Sequence, residues 1–420
     1  MVVLALLLLP LALVLSLATT AAVRSISNRL GAHDSPGVAG QQKIRRRIPN
    51  TGGIAIVASF VLPLVAGLAA VHILSDSTLG SIASTFGIAP ERLLVHIPGI
   101  RSQTPLALQL LAGVLVLHVL GLIDDRKPLG PFLKLVVMAL PAIWIAAMSD
   151  TRLLTLLDAH VGGPWLSIAV TVLWFLVVTN AMNFMDNMDG LSAGVGAIGA
   201  SCLLAVALMH GQWFIGACLA LLVGALAGFL VFNFPWRLKP DGSGGASIFM
   251  GDGGSVVLGF LLAFLTTRMT FVPGAWVMDE ATHKRVLLST TQVAEFGVAI
   301  SNPPWYVVLT PLLVLAVPLY DFASVVILRI SQGRSPFVGD QQHLSHRTVR
   351  RGVNKRTAVL VLYAFAAATG LSAIPLPTLE PWQALLVGAQ AFVLLAGLGL
   401  FEWSALRADQ GDGRASKGVP

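Results

Sequence analysis

The sequence predicts an all-α polytopic integral membrane protein of eleven transmembrane helices, with the N-terminus outside and the C-terminus in the cytoplasm. Three observations carry this. The 420 residues are 55% hydrophobic and only 11% charged, where ordinary soluble domains carry about 25% charged residues. Apolar runs recur at the length needed to cross a bilayer, roughly 20 residues. The basic residues are segregated: 20 of the 27 Lys and Arg fall in one alternating set of loops and 5 in the other, with Lys134 and Arg268 inside spans. The richer side is expected to be cytoplasmic.

In chain order, the expected spans are 2–23, 52–74, 105–123, 131–149, 164–182, 190–209, 213–234, 255–272, 304–328, 357–376 and 382–404. No Lys or Arg precedes Arg24. A cleavable signal peptide would open with a basic segment, so the first run is expected to be retained. Pro10, Pro63, Pro141, Pro311 and Pro318 fall inside spans, where membrane helices tolerate them. Residues 1–406 are expected to form one membrane domain and 407–420 a cytoplasmic tail. The net charge of +7 invites a nucleic-acid reading. Its confinement to particular loops makes it a topology signal instead, and no nucleic-acid partner is expected. Cys202 and Cys218 both lie in apolar runs, which implies neither a disulfide framework nor a thiolate metal site.

The polar clusters all fall in the inner loops, 24–53, 124–134, 180–191, 235–255 and 329–356. The central one is Asn180-Ala-Met-Asn-Phe-Met-Asp-Asn-Met-Asp-Gly-Leu191. Between Arg152 and Arg237 there is no Lys or Arg, so Asp186 and Asp189 have no local partner. On a helix, residues three apart share a face. Two such acids need a cation or a distant base. Ionisable residues at a membrane edge point to function; the simpler reading, a helix cap, needs only one such residue.

Asp124-Asp125 ends another span, with Lys134 nine residues beyond Asp125, in the first turn of a helix starting near Pro131. Hard divalent cations take such oxygen ligands, and Mg²⁺ uses one or two carboxylates plus substrate phosphates. Asp252, in Phe249-Met-Gly-Asp-Gly-Gly-Ser255, stands where glycines permit close approach, although alone this pattern reads as a turn. Phe249 offers a stacking face for a base. Gly242 to Gly245 reads as a linker or as a phosphate nest. His343 and His346 have metal-ligand spacing, but Arg347, Arg350 and Arg351 beside them would repel a dication. Phosphate binding or proton handling is the better expectation.

Five motifs then stand in order: Pro49-Asn-Thr-Gly-Gly-Ile-Ala, Gly121-Leu-Ile-Asp-Asp with Lys134, the 180–191 stretch, Phe249-Met-Gly-Asp-Gly-Gly-Ser and the histidine loop from Asp340. Together they resemble the polyprenyl-phosphate N-acetylhexosamine-1-phosphate transferase family, over about residues 24 to 356. The resemblance implies a transfer of sugar-1-phosphate from a UDP-sugar to a polyprenyl phosphate, releasing UMP, with Mg²⁺ or Mn²⁺ as cofactor. It implies an enzyme of the bacterial cytoplasmic membrane whose active site faces the cytoplasm, with a homodimer as the oligomer to test for. By motif, Asp124 and Asp125 would engage the lipid phosphate. Asp252 and Asp186 would hold metal, and Asn183, Asp186, His343 and His346 would serve the chemistry. Asp189, Asn187, Phe249, Asn233 and Arg347 would meet the nucleotide sugar, and Lys43 and Lys134 the lipid phosphate. Direct attack by the lipid phosphate and a covalent aspartyl intermediate both remain open.

The chain departs from the family pattern at Asn187, where glycine is usual, and at Ser345, which replaces the central histidine. The segment Trp236 to Ser247 is long, and the outer loops 75–104 and 273–303 are long enough to cover the outer face. The histidine loop resembles the N-acetylglucosamine branch more than the phospho-N-acetylmuramoyl-pentapeptide transferases, which are the alternative within the family. Outside it, a secondary transporter would also use membrane acids, but near the bilayer midplane.

Overall fold

A computed structural model describes residues 2–31, 48–149, 151–236, 245–270, 275–279, 284–288, 305–336 and 342–415. The first eight spans are helices α1 (Val2–Arg29), α2 (Gly52–Ile73), α3 (Thr104–Arg126), α4 (Pro131–Met148), α5 (Trp165–Met185), α6 (Leu191–Met209), α7 (Trp213–Asn233) and α8 (Asp252–Thr270). A short antiparallel pair follows, β1 (Ala275–Asp279) and β2 (Lys284–Leu288). Then come α9 (Leu309–Val314), α10 (Ala316–Ser331), α11 (Leu344–Arg350), α12 (Lys355–Ala373) and α13 (Pro381–Ala415). Among the described residues, ten helices are long and apolar enough to cross a membrane. The segments Trp305–Val314 and Ala316–Ser331 make an eleventh if they count as one span, bent by 75°.

The break has a chemical cause. Pro318 lacks the N–H that would close on Val314, and proline in a helix interior opens the hydrogen-bond ladder. The two halves also reach opposite ends of the bundle. Tyr306 donates to the carbonyl of Leu379, in the turn joining α12 to α13, whereas the Arg329 guanidinium lies over the Phe184 ring in the last turn of α5, 5.4 Å from its centroid. The pair therefore crosses as one broken span.

Helix α8 is the hub. In its most apolar window 89% of residues are buried, against 17% for α1 and α13. It packs on α2, α3, α5 and α6. Outward-facing side chains such as Leu62, Leu115, Leu140 and Leu173 are exposed, as a lipid-facing surface requires. Lipid tails are as apolar as leucine, so helices associate here through small residues that let backbones approach. At Gly121 of α3 an added Cβ would lie 2.4 Å from the Asp252 carbonyl carbon. At Gly53 of α2 it would lie 2.4 Å from the Gly254 nitrogen. Two helices thus clamp the first turn of α8, backbone to backbone. We expect Gly53→Ala to cost at least the upper end of the ~1–3 kcal/mol typical of overpacking. Thermal unfolding in detergent measures it, and an unchanged midpoint would contradict the clamp.

The loop 75–104 folds into three short helices, Asp76–Thr85, Pro90–Leu94 and Ile97–Ser102. Arg101 ties them down by donating to the Val71 carbonyl near the end of α2 (3.0 and 3.2 Å).

Candidate active site

The first turn of α8 organises the site. Its N-terminal N–H groups have no partner within the helix, and the Asp125 carboxylate, arriving from α3, supplies one. Asp252 N and Gly253 N donate to it at 3.0 and 3.2 Å. The same carboxylate accepts from Asn50 Nδ2 at 2.8 Å. Asn50 belongs to the 49–53 segment, which pairs with the loop before α8: Phe249 N donates to Pro49 O (2.8 Å), Gly52 N to Phe249 O (2.9 Å) and Gly53 N to Met250 O (2.8 Å). One glycine-rich segment is thereby laid against the other.

Asp124 points elsewhere. Its Oδ1 accepts from Leu129 N (2.6 Å), closing the turn into α4. Its Oδ2 accepts from Lys134 Nζ at 2.9 Å. Lys134 also reaches Asp252 Oδ2, at 2.6 Å. One lysine thus joins two acids 128 residues apart in sequence, one of them at the positive end of a helix. Asp252 Oδ1 accepts from Asn183 Nδ2 (3.0 Å), which also bonds Ser255 Oγ (2.9 Å).

The acidic stretch is not helical throughout. Helix α5 ends at Met185, and Asp186 to Gly190 form a turn. The expectation of two acids on one helix face fails there, because the backbone leaves the helical path at Asp186, whose ψ is 38°, and Gly190, with a left-handed φ of 79°, turns the chain into α6. Burial, and then the carboxylates of Asp252, Asp125 and Asp189, push the Asp186 carboxyl well above its ordinary value. Asp189 turns to the 245–248 loop, accepting from Ala246 N at 3.0 Å. Asn233 is buried, with its amide taken at both ends: Gly190 N donates to Oδ1 and Nδ2 donates to Ile248 O, each at 2.9 Å. It locks the two loops together. Tyr363 adds a second hold, donating to Gly190 O at 2.5 Å.

The histidine loop closes another side. His343 Nδ1 meets Asp321 Oδ2 at 2.9 Å. Its ring stands edge-on to Phe184, with centroids 5.4 Å apart. Ser345 Oγ donates to Asn187 Oδ1 at 2.5 Å. His346 lies on α11, and its pKa is lowered, first by burial and then by His343, Lys355 and Arg350. Arg347 Nη2 donates to Ser324 Oγ of α10 at 2.8 Å.

Asp124, Asp125, Lys134, Asn183, Asp186 and Asp252 therefore come together at one end of the bundle, with Asn187 and His343 on an adjoining wall. Lys43 lies outside the described residues. Four further residues make clear positioning contacts to which the sequence alone assigns no role: Asn50, His118, Asp321 and Tyr363. His118, buried, is bonded through Nδ1 to Gly253 O at 2.7 Å. A signal existed, since His118, Gly121 and Asp125 are spaced i, i+3, i+7 and so share the face that meets α8. Asp321 was a lone acid in an apolar run, itself a mark of function.

Among the described residues no three His, Cys, Asp or Glu side chains are arranged to hold a metal. The donor set nonetheless suits a hard divalent cation. Asp124, Asp125, Asp186 and Asp252 bring four carboxylates to one end of the bundle, and Lys134 is bonded to two of them, Asp124 and Asp252.

Helices that cross a membrane and gather acids, a lysine and a histidine at one end define an integral membrane transferase when set beside proteins of similar sequence. The family model described as glycosyl transferase family 4 matches residues 107–270. The decaprenyl-phosphate N-acetylglucosaminephosphotransferase of Mycobacterium tuberculosis is 30% identical over 354 residues, covering 78% of each chain. The probable undecaprenyl-phosphate N-acetylglucosaminyl 1-phosphate transferase of Bacillus subtilis is 27% identical over 372 residues, 88% of this chain and 84% of that one. The undecaprenyl-phosphate alpha-N-acetylglucosaminyl 1-phosphate transferase of Salmonella typhi is 28% identical over 347 residues, 80% and 78% respectively. The chain belongs to glycosyl transferase family 4, the polyprenyl-phosphate sugar-1-phosphate transferases.

Proposed function

We propose that this protein transfers N-acetylglucosamine-1-phosphate from its UDP conjugate to a polyprenyl phosphate, giving polyprenyl-diphospho-N-acetylglucosamine and UMP. A phosphate oxygen of the lipid attacks the phosphorus bonded to the sugar, and the bond from that phosphorus to the UMP oxygen breaks. The observation that carries the reading is Lys134, held by Asp124 and Asp252 in the first turn of α4. A polyprenyl phosphate keeps its tail in hydrocarbon, so its head group must lie at that depth. There an ammonium offers a compact positive charge to the dianion.

Asp252 and Asp186 are the residues that would hold Mg²⁺, which when bound neutralises charge on the joined phosphates. Asp125 fixes the backbone from which Asp252 projects, and Asn183 orients its carboxylate. The lipid phosphate has a second pKa near ~6 and is mostly dianionic at neutral pH, so attack needs no strong base. Asp189, bonded to Ala246 N, and the 245–249 loop with Phe249 would receive the nucleotide. The acids lie at helix ends, Asp124 and Asp125 in the last turn of α3 and Asp252 at the start of α8. A carrier site would lie near the midplane.

We infer from the distribution of basic residues that this end faces the cytoplasm of a bacterial inner membrane. Eleven crossings then place the N-terminus outside and the C-terminus inside. A reporter fused at the C-terminus is expected to behave as cytoplasmic, and periplasmic activity there would overturn the orientation. The substrate is tested by incubating purified protein with polyprenyl phosphate and a panel of UDP-sugars, then weighing the lipid product by mass spectrometry. A product heavier by N-acetylhexosamine phosphate, formed from UDP-N-acetylglucosamine, supports the reading. Product from UDP-N-acetylmuramoyl-pentapeptide alone would replace it with the alternative branch.

A further inference from the structure

Asp321 is a carboxylic acid in the broken span, 1% exposed, and neither the motifs nor the proposed chemistry uses it. Both of its oxygens are committed to the histidine loop. Oδ2 lies 2.9 Å from His343 Nδ1, and Oδ1 accepts from Leu344 N at 2.6 Å. His343 is the N-cap residue of α11 and makes no cap with its own side chain. A carboxylate from another helix therefore does two things at once: it caps α11 and fixes the imidazole.

A carboxylate accepts and cannot donate, so His343 Nδ1 must carry the proton. That assigns the ring nitrogen left for a ligand to Nε2. The partner of one ring nitrogen sets the state of the other. The ring is also held in place laterally. It meets Phe184 edge-on, and Phe184 is packed by Phe322 of α10 (centroids 5.4 Å) and by the Arg329 guanidinium (5.4 Å from the ring centroid). Phe184 directly follows Asn183, whose amide holds Asp252. The chain Asp321–His343–Phe184–Asn183–Asp252 is thus continuous by contact.

We propose that Asp321 is a positioning residue of the transferase centre, acting through His343: it holds the imidazole with Nδ1 protonated and Nε2 directed to the phosphates of the bound substrates. This rests on the proposed function for what meets Nε2, but not for the tautomer. Burying an ionisable group in a span is costly, and an apolar residue would fill the same space. A cap alone would be served by a neutral serine or asparagine.

A double-mutant cycle tests the proposal. Asp321→Asn keeps an acceptor for Leu344 N but removes the anion that demands a proton on Nδ1. We expect kcat to fall by about 10²-fold, as when groups orienting a histidine are lost, with KM for the UDP-sugar changed much less. In a His343→Gln background the same change should cost little more, because its route of action is gone. An equal loss in both backgrounds, or a wild-type kcat in Asp321→Asn, would overturn the proposal. A reading that needs no Asp321 variant is ¹⁵N NMR of histidine-labelled wild-type protein, with the His343 signals assigned from their loss in His343→Gln. Protonated Nδ1 is expected, and a neutral ring protonated only at Nε2 would overturn it. Wild-type protein that made no lipid product would defeat the proposed function, and the NMR reading would still decide the tautomer.

Discussion

Replacing Asp252 by Asn is expected to lower turnover by about 10³-fold, the scale of losing a preorganised electrostatic group, at every Mg²⁺ concentration. The carboxylate has three distinct relations. It is the first residue of the central helix, it binds Lys134, and it accepts from Asn183. The substitution keeps its shape and its bond to Asn183 Nδ2. It removes the charge that holds Lys134 and the charge best placed to take a divalent cation. Lys134 keeps Asp124 as a partner, so the unfolding midpoint should move far less than the rate. Steady-state kinetics across a Mg²⁺ titration measure the first, and near-normal turnover would remove Asp252 from the site.

Lys134→Met is expected to damage both activity and stability. Its ammonium sits between Asp124 and Asp252, the three side chains being 19%, 13% and 27% exposed. Breaking a buried ion pair by removing one partner costs about 3–5 kcal/mol, because the other charge stays buried and unpaired. Here two carboxylates would be stranded. The lipid phosphate would lose its nearest positive charge, for a further loss of about 10²–10³-fold in kcat. Lys134→Arg should rescue stability more than rate, since a planar fork does not replace a compact ammonium. Denaturation and kinetics on the two variants separate the effects. A Lys134→Met protein that unfolds like wild type would contradict the ion-pair geometry.

Much of the fold was legible because a bilayer imposes length. Ten of the eleven expected spans match helices with shifted ends, as at 105–123 against Thr104–Arg126. The span 304–328 was legible as a crossing but not as a bend, because Pro318 signals a kink without giving its angle. The site was legible as residue types gathered in alternate loops. Its internal division was not. The pair Asp124-Asp125 reads as one unit in sequence, yet neighbouring helical positions are turned about 100° from each other. Asp124 faces Lys134, while Asp125 faces the start of α8. The resemblance puts Asn233 among the nucleotide ligands, whereas burial and two bonds to backbone make it a brace between loops. Its role depends on which loops meet, and no local pattern records that.

The transfer of phosphorus along with the sugar distinguishes this chemistry from simple glycosyl transfer. The direct measurement uses UDP-N-acetylglucosamine labelled with ³²P at the phosphate next to the sugar, incubated with the purified protein and polyprenyl phosphate. The label is expected in the lipid, with unlabelled UMP released. Labelled UDP beside an unlabelled glycolipid would mean that the sugar alone had moved, and would contradict a phosphate-joining role for the carboxylates and Lys134.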